Sequence, residues 1–337
     1  MRPKGLNFRE REILRIIIEE YIEKGTPVSS TAVSRLLPFP LSPASVRNVM
    51  MGLEEKGYLY HKYHASGRIP TDKALRYYIK TLINSKPWQD QQVDLHLTDS
   101  KDLYNLLRKA SKFLSEFSDN VALVVSPKVL EIPFFYIKFI RIFEKRILLF
   151  MVTLNQLVVS KNIELSEDIP QNKLDFISRF LNENYRGKTL AQIKEILKDS
   201  LIAEGKVYRR LIQKLLAVLH SQIQKEVFVE GQSKIIEKID ISDIEKLKKL
   251  FALFEEKSRI LDFLNQLELS ERKEKIEIFM GSESEFPYAD QCVLIASSYG
   301  AKGLVAVFGP KRMRYLKALA ALDRVGSSLN KILSPGG

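Results

Sequence analysis

The side chains best suited to specific chemistry lie in one short segment, residues 42–51. Arg47 carries paired donors that match the acceptors of guanine, and Asn48 carries a donor and an acceptor that match adenine. Ala44 and Ser45 are small, so a backbone that carries them can approach a ligand closely. The chemistry this set could perform is hydrogen bonding to base edges. We expect base readout by Ala44, Ser45, Arg47, Asn48 and Met51.

A helix is the element that must position these side chains. Ser42 is a favoured N-cap, Pro43 fits the first helical position, and Gly57 ends the helix. At about 100° per residue, the opposite face carries an apolar stripe made of Val46, Val49, Met50 and Leu53. The segment is therefore predicted to be a helix with one buried face and one polar face.

Two further helices are predicted before this one. Asn7 and Glu10 have the spacing of a capping box, and Ser29 or Ser30 caps a short second helix that stops before Pro38. The residues expected to face the core are Leu14, Ile17, Ile18 and Tyr21 in the first helix and Ala32, Val33, Leu36 and Leu37 in the second. Three helices in this order are typical of a module whose third helix enters a major groove.

A β-hairpin is predicted after the third helix. Residues 58–63 alternate like a strand, residues 64–67 form a turn, and Arg68-Ile69 is a short return strand. This order predicts a winged helix-turn-helix, whose wing lies along phosphates or in the minor groove. We expect phosphate contacts from Ser29, Ser30, Thr31, Ser42, Lys62, His64, Ser66 and Arg68.

Each of these features also has a plainer interpretation. The helices could be an ordinary three-helix bundle with a polar face. His61 and His64 could bind a metal, but no Cys and few carboxylates lie near them, so contact with phosphate or solvent is favoured. Residues 1–86 carry 15 Lys or Arg and 8 Asp or Glu, against 38 and 33 in the rest of the chain. This local excess favours a nucleic acid, and a solvated basic surface is the alternative.

Composition restricts the class of protein. The chain has 337 residues, a net charge of +12 and 45% apolar residues, which is too apolar for a disordered protein. Its one Cys, Cys292, excludes a disulfide framework and a multi-Cys metal site, and it fits a reducing cytoplasm. No run approaches the ~18 apolar residues of a membrane helix, and the first residues do not resemble a signal peptide. We expect a basic, multidomain, cytoplasmic protein with no membrane partner.

Catalytic residues are not apparent. Cys292 lies in an apolar strand and is interpreted as a small buried hydrophobe rather than a nucleophile. His96 and His220 are isolated, and the sequence has no phosphate-binding loop, nucleophile elbow or paired-His metal motif. We therefore expect neither enzymatic activity nor a cofactor.

The run from residue 42 to residue 82 strongly resembles the HrcA-type heat-inducible transcription repressors of bacteria. Its most distinctive pieces are Arg47-Asn48, Leu53-Glu54-Glu55 with Gly57-Tyr58-Leu59, and Ser66-Gly67-Arg68-Ile69-Pro70-Thr71-Asp72. Residues 276–333 resemble the same family through Gly309-Pro310, Arg312-Met313 and Tyr315. The departures from its usual pattern are Val49, Ala74-Leu75 and Lys311.

The resemblance implies both a function and a domain plan. It implies a homodimer that binds an inverted repeat in double-stranded DNA upstream of chaperone operons, and a GroE chaperonin that keeps the repressor active until heat relieves repression. It also implies an α+β fold with a GAF-like domain, a five-stranded antiparallel sheet with packed helices, interrupted by an inserted dimerisation domain. The expected domains are 1–86 (winged helix), 87–130 and 225–337 (GAF-like), and 131–224 (insert).

The periodicity of the remaining chain fits this plan. After a linker at 84–92, helices are predicted at 103–117, 171–184, 189–203, 205–225, 241–267 and 311–333. Strands are predicted at 121–125, 227–229, 275–280, 291–297 and 303–308, and a three-stranded meander at 136–143, 146–153 and 157–163. The strands at 121–125 and 227–229 flank the insert, so we expect them to be neighbours in one sheet.

Two other functions remain open from the sequence. One is a ligand sensor, in which the GAF-like domain binds a small molecule and the winged domain reports it. Residues 275–308 show no convergent set of polar residues, so the repressor is favoured. The other is a hydrolase or a different enzyme, for which no nucleophile–base pair is visible.

Overall fold

The computed structural model describes residues 5–61, 67–88, 95, 100–199, 206–236, 238, 248, 252, 254, 256–266, 276–281, 291–300 and 302–333. Helices and antiparallel sheets are mixed, as expected for an α+β chain. Within these ranges, no helix combines the length and apolarity needed to cross a membrane. The described residues form three parts. A helical N-terminal part comes first, and a five-stranded sheet follows it. A three-stranded sheet is inserted in the chain between two strands of that five-stranded sheet.

Three helices and a two-stranded ladder form the N-terminal part. They are α1 (Phe8–Lys24), α2 (Ser30–Leu36), α3 (Pro43–Glu55), β1 (Leu59–Tyr60) and β2 (Ile69–Pro70). The predicted capping box is present, since each backbone N–H of Asn7 and Glu10 lies 3.0 Å from the other's side-chain oxygen. Ser29 caps α2. Ile17, Val33 and Val46 are fully buried, so the three helices share one core.

One residue expected in this core lies outside it. Leu36 is 50% exposed, whereas Val33, one turn earlier in α2, is fully buried. Because α2 ends at Leu36 and Leu37 is already extended, Leu37 packs against the core in its place. The expectation that Leu36 faces inward is therefore wrong.

The five-stranded sheet consists of β3 (Val121–Val125), β7 (Val227–Glu230), β8 (Ile276–Met280), β9 (Cys292–Tyr299) and β10 (Gly303–Pro310). Its order is β7–β3–β10–β9–β8, with every pair antiparallel. The pairing of β3 with β7 confirms that the strands flanking the insert are neighbours. On one face pack α5 (Leu103–Ser118) and α11 (Tyr315–Leu333), and on the other packs α10 (Lys257–Gln266). The short α9 (Gln232–Ile236) follows β7.

The insert is built on the predicted meander. Its strands are β4 (Phe134–Phe143), β5 (Arg146–Thr153) and β6 (Val158–Glu164), in the order β4–β5–β6. The helices are α6 (Gln171–Tyr185), α7 (Leu190–Asp199) and α8 (Lys206–Gln222). One face of the sheet packs against α6 and α8. The buried residues on this face are Ile137, Phe139, Leu149, Met151 and Val159.

The outer edge of β4 is sealed by side chains of α6. Asn182 accepts the Ile137 N–H at 2.9 Å and donates to the Ile137 carbonyl at 2.7 Å. Ser178 accepts the Phe139 N–H at 3.0 Å, and Gln171 donates to the Phe139 carbonyl at 3.1 Å. Because these backbone groups already have partners, the edge cannot readily add another strand.

The first part of the connection between the N-terminal part and the sheet, residues 71–88, is packed against the rest of the protein. α4 (Asp72–Ser85), capped by Thr71, is followed by Trp88, which is 4% exposed and donates to Asp323 of α11 at 3.4 Å. Residues 89–94 of the predicted linker lie outside the described residues. So does about half of the helix predicted at 241–267, which includes the described helix α10.

The last helix begins later than predicted. It starts at Tyr315 rather than at residue 311, because residues 311–314 form a turn in which the Met313 N–H donates to the Pro310 carbonyl at 2.9 Å. Tyr315, at the first turn of α11, is buried, and its hydroxyl donates to the Lys311 carbonyl at 2.6 Å. This turn brings the end of the sheet against the N-terminal helices.

Candidate nucleic-acid interface and an exposed sheet face

The outward face of α3 carries the residues predicted to read bases. Ser42 caps the helix by accepting the Ser45 N–H at 3.2 Å, and Pro43 occupies its first turn, as predicted. Met50 and Leu53 are buried on the opposite side. The five candidate residues are exposed or, for Ser45, half-buried: Ala44, Ser45, Arg47, Asn48 and Met51. The fold therefore leaves this whole set accessible on one surface.

Four of the predicted phosphate contacts lie at the starts of α2 and α3: Ser29, Ser30, Thr31 and Ser42. The Ser29 hydroxyl accepts the Ala32 N–H at 3.2 Å. The Ser34 hydroxyl donates to the Leu41 carbonyl at 2.6 Å, which fixes the turn between the two helices. Ser30 is half-buried and the other three are exposed. These hydroxyls accordingly share the solvent-facing side with α3.

The base of the hairpin is anchored to the loop before α2. Val28 and Arg68 exchange two backbone hydrogen bonds of 2.9 Å. A Cβ atom on Gly67 would lie 2.5 Å from the Val28 backbone, so only glycine permits this close approach. The predicted phosphate contacts Lys62, His64 and Ser66 lie outside the described residues.

Glu54, near the end of α3, holds both sides of the hairpin base. Its Oε2 lies 2.8 Å from Nε of Arg68, and its Oε1 contacts Nδ1 of His61. The Arg68 side chain is 18% exposed. Sequence reasoning assigned Arg68 to phosphate and gave Glu54 no such role. The sequence feature that could have indicated this role is the position of Glu54 shortly before the predicted basic hairpin, within the run that resembles the family. Glu54 is thus a positioning residue for the hairpin.

A second ion pair fixes the end of α3 to the start of α1. Lys56 Nζ lies 2.6 Å from Oε1 of Glu10, the residue that also forms the capping box. Partial burial favours a higher pKa for Glu10, but the hydrogen bonds from Lys56 and from the Asn7 N–H outweigh it and lower the pKa. Glu10 therefore stays ionised, and the orientation of α3 is tied to that of α1.

The N-terminal part is also attached to the five-stranded sheet. Lys311 pairs with Asp72 of α4, and Arg76 donates to a carbonyl of β8 at 2.8 Å. Gly25, the C-cap of α1, has φ 69°, and a Cβ atom there would lie 1.7 Å from a guanidinium nitrogen of Arg312. The glycine thus both ends the helix and admits the turn before α11. These contacts set the direction in which α3 faces.

A different kind of surface lies on the outward face of the inserted sheet. Tyr136, Ile140 and Ile142 of β4 are 39%, 40% and 42% exposed. The register places half-buried Val152 opposite Tyr136 and half-buried Leu148 opposite Ile140. The face continues through Phe150, which lies opposite Lys138 of β4, and through Val158, and it ends in polar residues of β6, Ser160 and Asn162. A contiguous exposed apolar patch with a polar rim marks an interaction site.

The family model described as the HrcA protein C-terminal domain matches residues 104–319. The heat-inducible transcription repressor HrcA of Geobacter sulfurreducens is 30% identical over 336 residues, covering 96% of this chain and 97% of its own. Its namesake in Methylobacillus flagellatus is 30% identical over 338 residues, covering 98% of this chain and 99% of its own. Both alignments include the N-terminal part that the family model leaves out.

One solved structure has a similar fold. A crystal structure described as a hypothetical protein at 2.2 Å resolution superposes with a TM-score of 0.64, at 24% identity, over 98% of this chain and 99% of that chain. The family model covers more than half of the chain, from α5 into α11, and the named repressors span it almost from end to end. The chain therefore belongs to the HrcA family of heat-inducible transcription repressors.

Proposed function

We propose that this repressor binds an inverted-repeat operator as a homodimer, with α3 of each protomer in a major groove. The observation that carries the proposal is the outward face of α3, where Arg47 and Asn48 project away from a buried apolar stripe. On this proposal residues 1–86 are a winged helix-turn-helix domain. A dimer places two such helices in successive grooves, so the symmetry of the protein matches the symmetry of the operator.

The two kinds of contact have different roles in this proposal. Arg47 and Asn48 read base edges, and Ala44, Ser45 and Met51 let the helix lie close to them. The phosphate contacts set the register of the protein on the duplex and come from Ser29, Ser30, Thr31, Ser42, Lys62, His64, Ser66 and Arg68. Glu54 Oε2 lies 2.8 Å from Nε of Arg68, so this nitrogen faces a carboxylate rather than a phosphate.

The proposed dimer forms through the outward face of the inserted sheet. That face is apolar at its centre, and the sealed edge of β4 directs association to the face rather than to edge-to-edge pairing. An isologous interface buries the same patch on both protomers. Residues 131–224 then act as the inserted dimerisation domain, and residues 87–130 with 225–337 form the GAF-like domain that carries it.

Dependence on the GroE chaperonin is implied by the family resemblance and is part of the proposal. Physically, a protomer that has lost its partner exposes the apolar sheet face, which is the class of surface that a chaperonin recognises. Warming that dissociates the dimer then removes operator binding by mass action. Such a repressor acts in the cytoplasm, where it meets both the operator and the chaperonin.

A footprint on inverted-repeat DNA tests the proposal. The full chain is titrated at several temperatures, with and without chaperonin, and on a scrambled duplex as control. We expect two protected half-sites about one helical turn apart, protection that is lost on warming, and recovery with chaperonin. Equal binding to both duplexes would overturn the proposed operator recognition. Unchanged recovery without chaperonin would overturn the GroE dependence alone.

A further inference from the structure

A cavity of about 990 Å³ lies where the five-stranded sheet meets the insert. Its walls come from the end of β3 and the turn after it, from the hairpin between β9 and β10, from α7 and α8, and from α10. This volume is at the upper end of the range that small-molecule sites occupy in proteins. The cavity belongs to neither the outward face of α3 nor the sheet face described above.

Three lysines from distant parts of the chain line this cavity: Lys128, Lys225 and Lys302. Nζ of Lys128 and Nζ of Lys302 lie 3.4 Å and 3.7 Å from the same oxygen, Oε1 of Glu131. The half-buried Lys225 donates to the Lys302 carbonyl at 2.6 Å, and within the described residues no carboxylate lies within ion-pair distance of it. One carboxylate is therefore shared by two ammonium groups, while a third has only a neutral acceptor.

The remaining charges do not remove this excess. Asp262 also lines the cavity, but it is exposed on α10. The pKa of His220 is lowered by burial and by the nearby Lys194 and Lys128, so its imidazole is neutral near pH 7. Burial and the nearby Lys128 and Lys302 lower the pKa of Lys225, and Glu131 opposes this shift only in part. The lining thus has a net positive charge that an anion would neutralise.

Apolar side chains complete the walls. Val129, Ile223 and Leu264 are between 2% and 8% exposed, and the half-buried Leu261 lies beside them on α10. A cavity with an apolar wall and a cationic cluster is complementary to a molecule with a hydrocarbon body and one anionic group. Inorganic phosphate alone would leave the apolar wall unused.

We propose that this cavity is a binding site for a small organic anion, whose carboxylate or phosphate group lies among Lys128, Lys225 and Lys302. The apolar part of the molecule packs on Ile223, Leu261 and Leu264. The site goes beyond the proposed operator binding and does not depend on it. Because its walls come from both the sheet domain and the insert, an occupant contacts the element that carries the apolar sheet face.

Calorimetric titration of the full chain tests the site with three probes of equal chain length. Octanoate and octyl phosphate carry the two anionic groups, and 1-octanol is the neutral control. We expect one molecule bound per protomer for at least one anion, about tenfold or more tighter than octanol. The two anions distinguish a carboxylate from a phosphate ligand. Equal binding of octanol, or no binding of either anion, would overturn the proposal.

Two variants separate this site from general anion binding. Lys225→Gln is expected to weaken the bound anion by about tenfold or more, and Lys302→Gln, whose side chain is half-exposed, keeps the test valid if the first variant unfolds. Lys112→Gln on α5, which is 69% exposed, is the matched control and should change nothing. Equal losses in Lys112→Gln and in either cavity variant would contradict a specific site. Operator footprints measured in parallel report on the proposed function separately.

Discussion

Two exposed surfaces of this repressor differ in nearly every property that governs binding. The outward face of α3 is largely polar and carries Arg47 and Asn48, and it belongs to a helix whose other face is buried in its own domain. The outward face of the inserted sheet is largely apolar, and its polar residues include Lys138 of β4 as well as Ser160 and Asn162 of β6. The first suits a polyanion, whose binding weakens as salt rises, and the second suits an apolar partner, whose binding is much less dependent on salt. The proposed recognition of DNA and the proposed assembly of the dimer can therefore be perturbed separately.

The largest effect is expected from a charge placed on the sheet face. Ile140→Glu should weaken the proposed dimer by about 3 kcal/mol or more, because a two-fold interface would bury an unpaired carboxylate on each side. Sedimentation equilibrium should then show monomers at concentrations where the parent chain is dimeric. Operator affinity should fall with the loss of the second half-site.

The matched control for this prediction is Ile196→Glu. Ile196 on α7 is 38% exposed, close to the 40% of Ile140, but it lies away from the sheet face. The control should remain dimeric. If both variants dissociate, or if neither does, the inserted sheet face is not the dimer interface and the comparison between the two surfaces fails.

The next effect is expected from the outward face of α3. Arg47→Ala should cost about 1–3 kcal/mol on the operator and far less on random DNA, because a bidentate contact to a base carries sequence information. Fluorescence anisotropy with both duplexes measures the ratio, and Lys112→Ala on α5 controls for the loss of one positive charge. Equal losses on both duplexes would remove Arg47 from base readout.

A smaller effect is expected at the base of the hairpin. Glu54→Gln removes the charge that engages Arg68 and His61, and we expect operator binding to weaken by about 1 kcal/mol because the hairpin is less well positioned. The neighbouring Glu55→Gln, exposed on the same helix, is the control. Identical results for the two variants would mean that Glu54 acts through charge alone.

The smallest effect is expected at Lys62, in the predicted hairpin. Lys62→Ala should weaken operator and random DNA alike and reduce the salt slope by about one, because one phosphate contact is lost. Lys62→Arg, which keeps the charge, should retain the slope. An unchanged slope in Lys62→Ala would mean that Lys62 does not contact a phosphate. The duplex would then be held by α3 and by the residues at the starts of α2 and α3.

Much of the fold was predictable because its signals are local. The caps at Asn7 and Ser42 and the apolar periodicities placed α1 and α3 to within a residue or two. Alternation placed the three strands of the insert, and the family resemblance, by implying an insert, led to the expectation that β3 and β7 are neighbours. The failures occur at helix ends, where the chain leaves the helix sooner or enters it later than the apolar pattern indicates, as at Leu36 and at the turn before Tyr315.

The sequence by itself determined which side chains of α3 face outward, because helical periodicity and an N-cap leave little choice over so short a span. Only the tertiary structure decided that Glu54 engages Arg68, that α6 seals the edge of β4, and that three lysines line one cavity. Each of these contacts forms because elements that are separated in the sequence pack side by side. No local pattern encodes such contacts, since packing of whole domains sets the distances between them.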